Sequence, residues 1–233
     1  MKIKEIIQRV QSLYSKGVDS DDTRLASRHI YNKILTVRSR LISQEAKKKQ
    51  KISAWNYQTI SCIELIPVEA HECPCLPPLG CKILRSKYKI PMPLSGLSGD
   101  LIKSIHSIDR SVKIDEMSMT SAKYQKGNKY TAKKITYFVE SEYIYISTPV
   151  NLKVIAMTAL FEDPIAVIQF QGLCEECIDC NNCIDYLETD FPIDNDMIDT
   201  LIELSLQELV VMFSQVQEDV SNNSIDANRE QGK

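Results

Sequence analysis

The chain has 233 residues, 43% hydrophobic and 25% charged, with 7 Gly and 9 Pro. That composition excludes collagen-like, mucin-like and wholly disordered chains and leaves length for one large domain or two small ones. The net charge of -3 hides a split, since residues 1–173 carry 26 Lys+Arg against 16 Asp+Glu and residues 174–233 carry 2 against 15, so the two regions need each other or need different partners.

The opening MKIKEIIQRV interleaves charges with apolar residues, which predicts no secretory leader. Ile3, Ile6, Ile7, Val10, Leu13 and Tyr14 fall at helical spacing ahead of Gly17, predicting a short amphipathic helix. A second helix is expected from the capping residues Ser20 and Asp21 to Lys51, with Leu25, Ile30, Ile34, Val37, Leu41 and Ile42 as its apolar stripe. At about thirty residues and 1.5 Å each it would be a rod of roughly 45 Å and the longest element.

From Lys51 onward β-branched and aromatic residues cluster between prolines, and strands are expected. The predicted strands are residues 58–68, 81–90 and 111–119, then a hairpin in KKITYFVESEYIYISTP with a tight turn at Glu140 to Glu142, and finally LKVIAMTALF, closed by Glu162, Asp163 and Pro164. Helix returns in FPIDNDMIDTLIELSLQELVVMFSQV behind a capping cluster, Asp194 to Asp196, with a face wide enough for more than one neighbour. Asp199, Glu203 and Glu208 interrupt its apolar run, so no membrane span is expected. After Val216 the apolar residues thin out, which reads as a flexible tail. The expected fold class is α+β: N- and C-terminal helices (1–52 and 190–216) form a bundle, an antiparallel β module (53–189) with two Cys-rich loops is inserted between them, and 217–233 trail behind.

Eight cysteines in a chain with no export signal point to reduced thiols and assembly in the cytoplasm. The CxxC spacing of Cys174, Cys177, Cys180 and Cys183 suits thiolate ligation of a tetrahedral ion, but two residues between the pairs is far below the 15 to 20 of zinc ribbons. A composite site joining one pair to Cys73 and Cys75 is geometrically easier. Structural zinc is the cofactor this would imply; buried free thiols are the alternative, and they require none. An iron-sulfur cluster would need a three-residue last gap and a following Pro, where Ile184 stands.

Lys47, Lys48, Lys49 and Lys51 place cations at the negative end of the second helix, and they are also the candidate contact with a nucleic-acid backbone, since residues 21–51 carry 9 Lys+Arg against 3 Asp+Glu. None of the three histidines sits in HExxH spacing, and GxGxxG, Walker and GxSxG motifs are missing; no enzyme is expected. The acidic end either packs on the basic half of its own chain or meets a neighbouring copy head to tail.

Taken in order, DSDDTRLASRHIYNKILTVRSRLISQ, SCIELIPVEAHECPCLPPLGCKILRSKYKIPMPL, KKITYFVESEYIYISTP with MTALFEDP, and FPIDNDMIDTLIELSLQEL resemble the head-to-tail connectors of short-tailed phages. In particular they resemble the ring or adaptor proteins of crAss-like phages, similar in architecture to tail tubular protein A, over residues 18–217. The CxxCxxCxxC run is not a feature of the wider connector family.

The resemblance implies a virion protein of the phage tail, a homo-oligomeric and dodecameric ring beneath the portal that extends the DNA channel. Its implied partners are the portal protein, neighbouring copies, other tail ring or hub proteins and non-specifically contacted genomic DNA. Asp199, Glu203, Glu208, Glu218 and Asp219 are the docking candidates for portal or neighbour. The alternative reading is a cysteine-rich, zinc-binding nucleic-acid-binding or regulatory protein.

Overall fold

A computed structural model describes residues 1–17, 25–48, 52–68, 83–96, 99–118, 120–121, 129–130, 133–147, 152–173 and 185–229, with side chains to Met212 in the last segment. The protein mixes helix and sheet, and its internal contacts divide it into two compact units, Met1–Ile52 with Asp185–Lys233 and Ser53–Ile184.

The first unit is helical. Helix α1 (Ile3–Tyr14) buries Ile3, Ile6, Ile7 and Val10 at the spacing its sequence dictates. It ends where Lys16 and Gly17 turn to φ 53° and 78°, and the Gly17 amide donates to the Ser12 carbonyl at 2.9 Å. Helix α2 runs Ser27–Lys47, 21 residues rather than about thirty; the expected caps, Ser20 and Asp21, lie outside the described residues. Ile30, Ile34, Val37 and Ile42 are buried on it as expected, while Leu25, also buried, precedes it.

The longest described element is instead α4 (Asn195–Arg229). No Gly or Pro stands between 195 and 229 to stop it, and its backbone stays helical past Val216, where a flexible tail was expected. It packs on both α1 and α2, the reason its apolar face is wide. Arg38 is fully buried in this unit, its Nε donating to the Pro192 carbonyl at 3.0 Å and its guanidinium lying 5.6 Å from the Phe191 ring centre.

The second unit is a closed seven-stranded barrel in the order β1-β2-β8-β7-β6-β5-β9. The strands are β1 (Gln58–Val68), β2 (Ile83–Ser86), β5 (Ile102–Ser107), β6 (Lys113–Glu116), β7 (Thr136–Glu140), β8 (Tyr143–Ser147) and β9 (Val154–Ala159), with a separate two-stranded ribbon, β3 (Ser95–Gly96) and β4 (Gly99–Asp100). The length of β1 closes the barrel: its first part pairs β9 and its last four residues pair β2. A register shift between Ile60 and Ile63 changes which parity points inward, so Ile60, Ile63 and Leu65 all reach the core.

The module is not wholly antiparallel, because β6 and β7 run parallel, the long connection between them allowing it. The expected hairpin is present as β7–β8, with Ser141 and Glu142 at φ 51° and 68°, the conformation that lets a two-residue turn follow the strand twist. Its Tyr137, Ile144 and Ile146 face the core, while Phe138 and Tyr145 stack at 5.2 Å on the other face. Pro164 does not simply close β9. It starts a helix, α3 (Pro164–Gln171), capped by the Asp163 carboxylate accepting from the Ile165 amide at 2.9 Å. Val167 and Phe170 join the barrel core, where Ile105, Ile144, Ile155 and Met157 are fully buried. The barrel is therefore filled by its own side chains.

Candidate interaction surfaces

Part of the charge on the helical unit is matched within the chain. Glu188 accepts from Lys2 at 2.7 Å and Lys4 at 3.0 Å, which hold its carboxyl below the usual carboxylate range. Arg9 lies 3.7 Å from Asp199. Glu208 accepts from Lys33 Nζ at 2.8 Å and sits 2.6 Å from Arg40 Nη1; the Lys33 bond is the largest cause of its lowered pKa. Own-chain packing thus takes up part of the acidic C-terminal segment, one of the two outcomes its charge allowed.

Of the docking candidates, Glu208 is half-buried and engaged, whereas Asp199 and Glu203 are exposed. These two share a groove of about 400 Å³ with Arg9, Leu13, Ile202 and Leu206. Leu13, expected on the buried stripe, is exposed there. Glu218 and Asp219 belong to α4, but their side chains lie outside the described residues.

Lys47 and Lys48 end α2 and are exposed, beside the negative pole of its dipole. Lys49 and Lys51 lie outside the described residues, as do Cys73, Cys75, Cys174, Cys177, Cys180 and Cys183. Cys62 corrects the expectation of reduced thiols: it is disulfide-bonded, with its partner outside the described residues. On β1 it lines a small hollow with Phe170 and Leu173. Among the described residues no group of three His, Cys, Asp or Glu is placed to hold a metal, and no helix is long and apolar enough to cross a membrane.

Two surfaces on the barrel had no signal in the sequence. The turn joining β5 to β6 is tied together by Asp109, whose carboxylate accepts from Ser107 Oγ, from Ser111 Oγ at 2.6 Å and from the Ser111 amide at 3.2 Å. Those bonds, that of Ser107 foremost, lower its pKa to about 2. At the other end of the same hairpin, Asp100, Ile102, Glu116, Met117, Phe138 and Glu140 line a groove of about 320 Å³. Its residues come from four strands, β4 to β7, so the pairing of β5, β6 and β7 and the placement of the β3–β4 ribbon assemble it. Tyr137, buried beneath, has its phenol pKa raised, first by burial and then by Glu116, Asp100 and Asp115.

The surfaces thus offer grooves and turns for macromolecular contact, and comparison with known families decides their context. The family model described as phage tail ring protein 2 matches residues 5–228. The chain belongs to this family. The match spans both units of the ring protein and extends beyond the 18–217 of the resemblance, bearing out its likeness to crAss-like ring proteins. No curated protein sequence matches the chain. Membership makes this ring protein a structural component of the phage tail, hence of the virion, assembling as a ring with other tail components. The family is structural, in keeping with a non-enzymatic role.

Proposed function

We propose that the protein is a head-to-tail connector: a ring, dodecameric by resemblance, that sits beneath the portal, continues the DNA channel and gives the next tail component a docking surface. The observation that carries this reading is the match to a tail ring family over nearly the whole chain, joined to the order of the sequence motifs that resemble connectors. The filled barrel supports it further, since a barrel packed with its own side chains leaves the lumen to be formed between copies.

The cations Lys47, Lys48, Lys49 and Lys51 approach the channel, where spaced cations meet phosphates without reading bases. The exposed acids Asp199 and Glu203, with Glu218 and Asp219 further along α4, dock on portal or neighbour. Negative-stain imaging of the purified protein mixed with portal tests the reading. Rings seated on portal are expected, and deletion of 217–233 is expected to abolish attachment. Attachment unchanged by the deletion would remove the tail from the interface; absence of the polypeptide from the unique vertex of isolated virions would overturn the connector reading.

A further inference from the structure

A closed ring of identical copies joins unlike surfaces, so each copy must carry two patches that fit one another. The barrel unit carries such a pair at the two ends of the β5–β6 hairpin. At the tip, Arg110 adopts φ 58°, its amide donates to the Ser107 carbonyl at 2.9 Å, and the Ser107 amide donates to the Val112 carbonyl at 3.0 Å. The Val112 amide donates to Ser107 Oγ at 3.1 Å, and Asp109 gathers both flanking serines.

A turn fixed in this way loses little freedom on binding. What it presents outward is Ile108, 59% exposed, Val112, 36% exposed, and the cations Arg110 and Lys113. Exposed aliphatics on a rigid cationic turn are costly to leave in water and suited to an apolar pocket with an acidic rim.

The groove at the hairpin base has that character. Asp100, Glu116 and Glu140 supply three acids, no Lys or Arg lines it among the described residues, and Ile102, Met117 and Phe138 give it an apolar floor. Glu140 Oε2 is buried without a hydrogen-bond partner, a carboxylate oxygen whose desolvation is offset only if a donor arrives. Six residues of β5 at about 3.3 Å each separate tip from groove by roughly 20 Å, so one copy can engage two neighbours through the two ends of one hairpin.

We propose that the β5–β6 tip of one copy docks in the acidic groove at the base of this hairpin in the next. Arg110 and Lys113 meet Glu116 and Glu140, while Ile108 and Val112 cover Ile102 and Met117. The inference rests on the ring reading above and assigns that ring its lateral contact.

The test uses the full chain, assembled alone and with portal, and follows particle mass by mass photometry. Arg110→Glu puts an acid against Glu116, and Glu116→Arg puts a cation against Arg110. Both positions are exposed, and circular dichroism checks that each variant keeps its fold. Each variant alone is expected to need on the order of tenfold more protein to form rings. An equimolar mixture of the two, in which alternating copies restore both contacts, is expected to assemble at the wild-type concentration. Rings forming normally from either variant alone, or no recovery in the mixture, overturns this interface and leaves the ring reading standing. A wild-type chain that forms no ring under either condition removes the ring reading and this contact with it.

Discussion

Lys33 on α2 donates to Glu208 on α4 at 2.8 Å, and Arg40, two helical turns further on, closes on the other carboxylate oxygen at 2.6 Å. One acid therefore ties two positions of α2 to the C-terminal helix. The two cations, Lys33 first, lower its pKa in the folded state. A carboxyl with a depressed folded pKa adds stability above its unfolded pKa, near 4.3, and loses it as pH falls through the folded value. Glu208→Gln is expected to cost about 1 kcal/mol at pH 7. Thermal melts of both proteins should draw together as pH drops below about 4; a gap that stays constant with pH would sink this account.

Arg38 is the largest fully buried side chain among the described residues. Truncation to Ala removes its bond to the Pro192 carbonyl and its packing on Phe191, leaving a cavity and an acceptor short of a donor. Denaturant titration is expected to show a loss of about 2 to 4 kcal/mol. A loss below half of that would mean solvent reaches the site.

Ser205 is fully buried on α4, and its hydroxyl has no hydrogen-bond partner. Alanine removes the unsatisfied group and is the better helix former. Ser205→Ala should therefore raise the stability of the helical unit by about 0.5 to 1.5 kcal/mol, read as a higher melting temperature. A lower melting temperature would show that the hydroxyl is engaged.

Asp109 holds the β5–β6 turn through its carboxylate, and its pKa is lowered to about 2. The turn should stay ordered through the ordinary carboxylate range and loosen only as pH approaches 2, because protonation removes the acceptor. Amide exchange at Arg110, Ser111 and Val112 checks this. Asp109→Ala should speed their exchange at neutral pH while leaving Ile144 on β8 unchanged, and equal acceleration at both places would mean general unfolding.

Where the apolar pattern was clean, fold could be read directly. The β-branched cluster Thr59, Ile60, Ile63, Ile66 and Val68 marks both ends of β1, and α1 follows its 3.6-residue spacing. β5 was missed because a register irregularity between Ile102 and Ser104 disrupts its alternation. α3 is hard to read from sequence because Pro164 reads as a stop, although Asp163 before it marks a helix start. Arg38 escaped because a charged side chain inside a core contradicts its residue type and is fixed only by tertiary partners. The acidic groove is illegible for a related reason: Asp100, Glu116 and Glu140 are separated in sequence and meet only through tertiary strand pairing, above all that of β6 with β7. The charge split, by contrast, was plain in composition, yet which acids would be claimed internally depended on helix packing.

Because the seven strands close on themselves, every one of them already has a hydrogen-bonded neighbour on each side. The barrel therefore offers neighbouring copies no edge strand for strand addition, the usual route to runaway polymerisation, and open strand edges among the described residues are confined to the short β3–β4 ribbon. For the barrel unit, lateral cohesion then falls to side chains and turns, which can meet a neighbour without a change of backbone pairing.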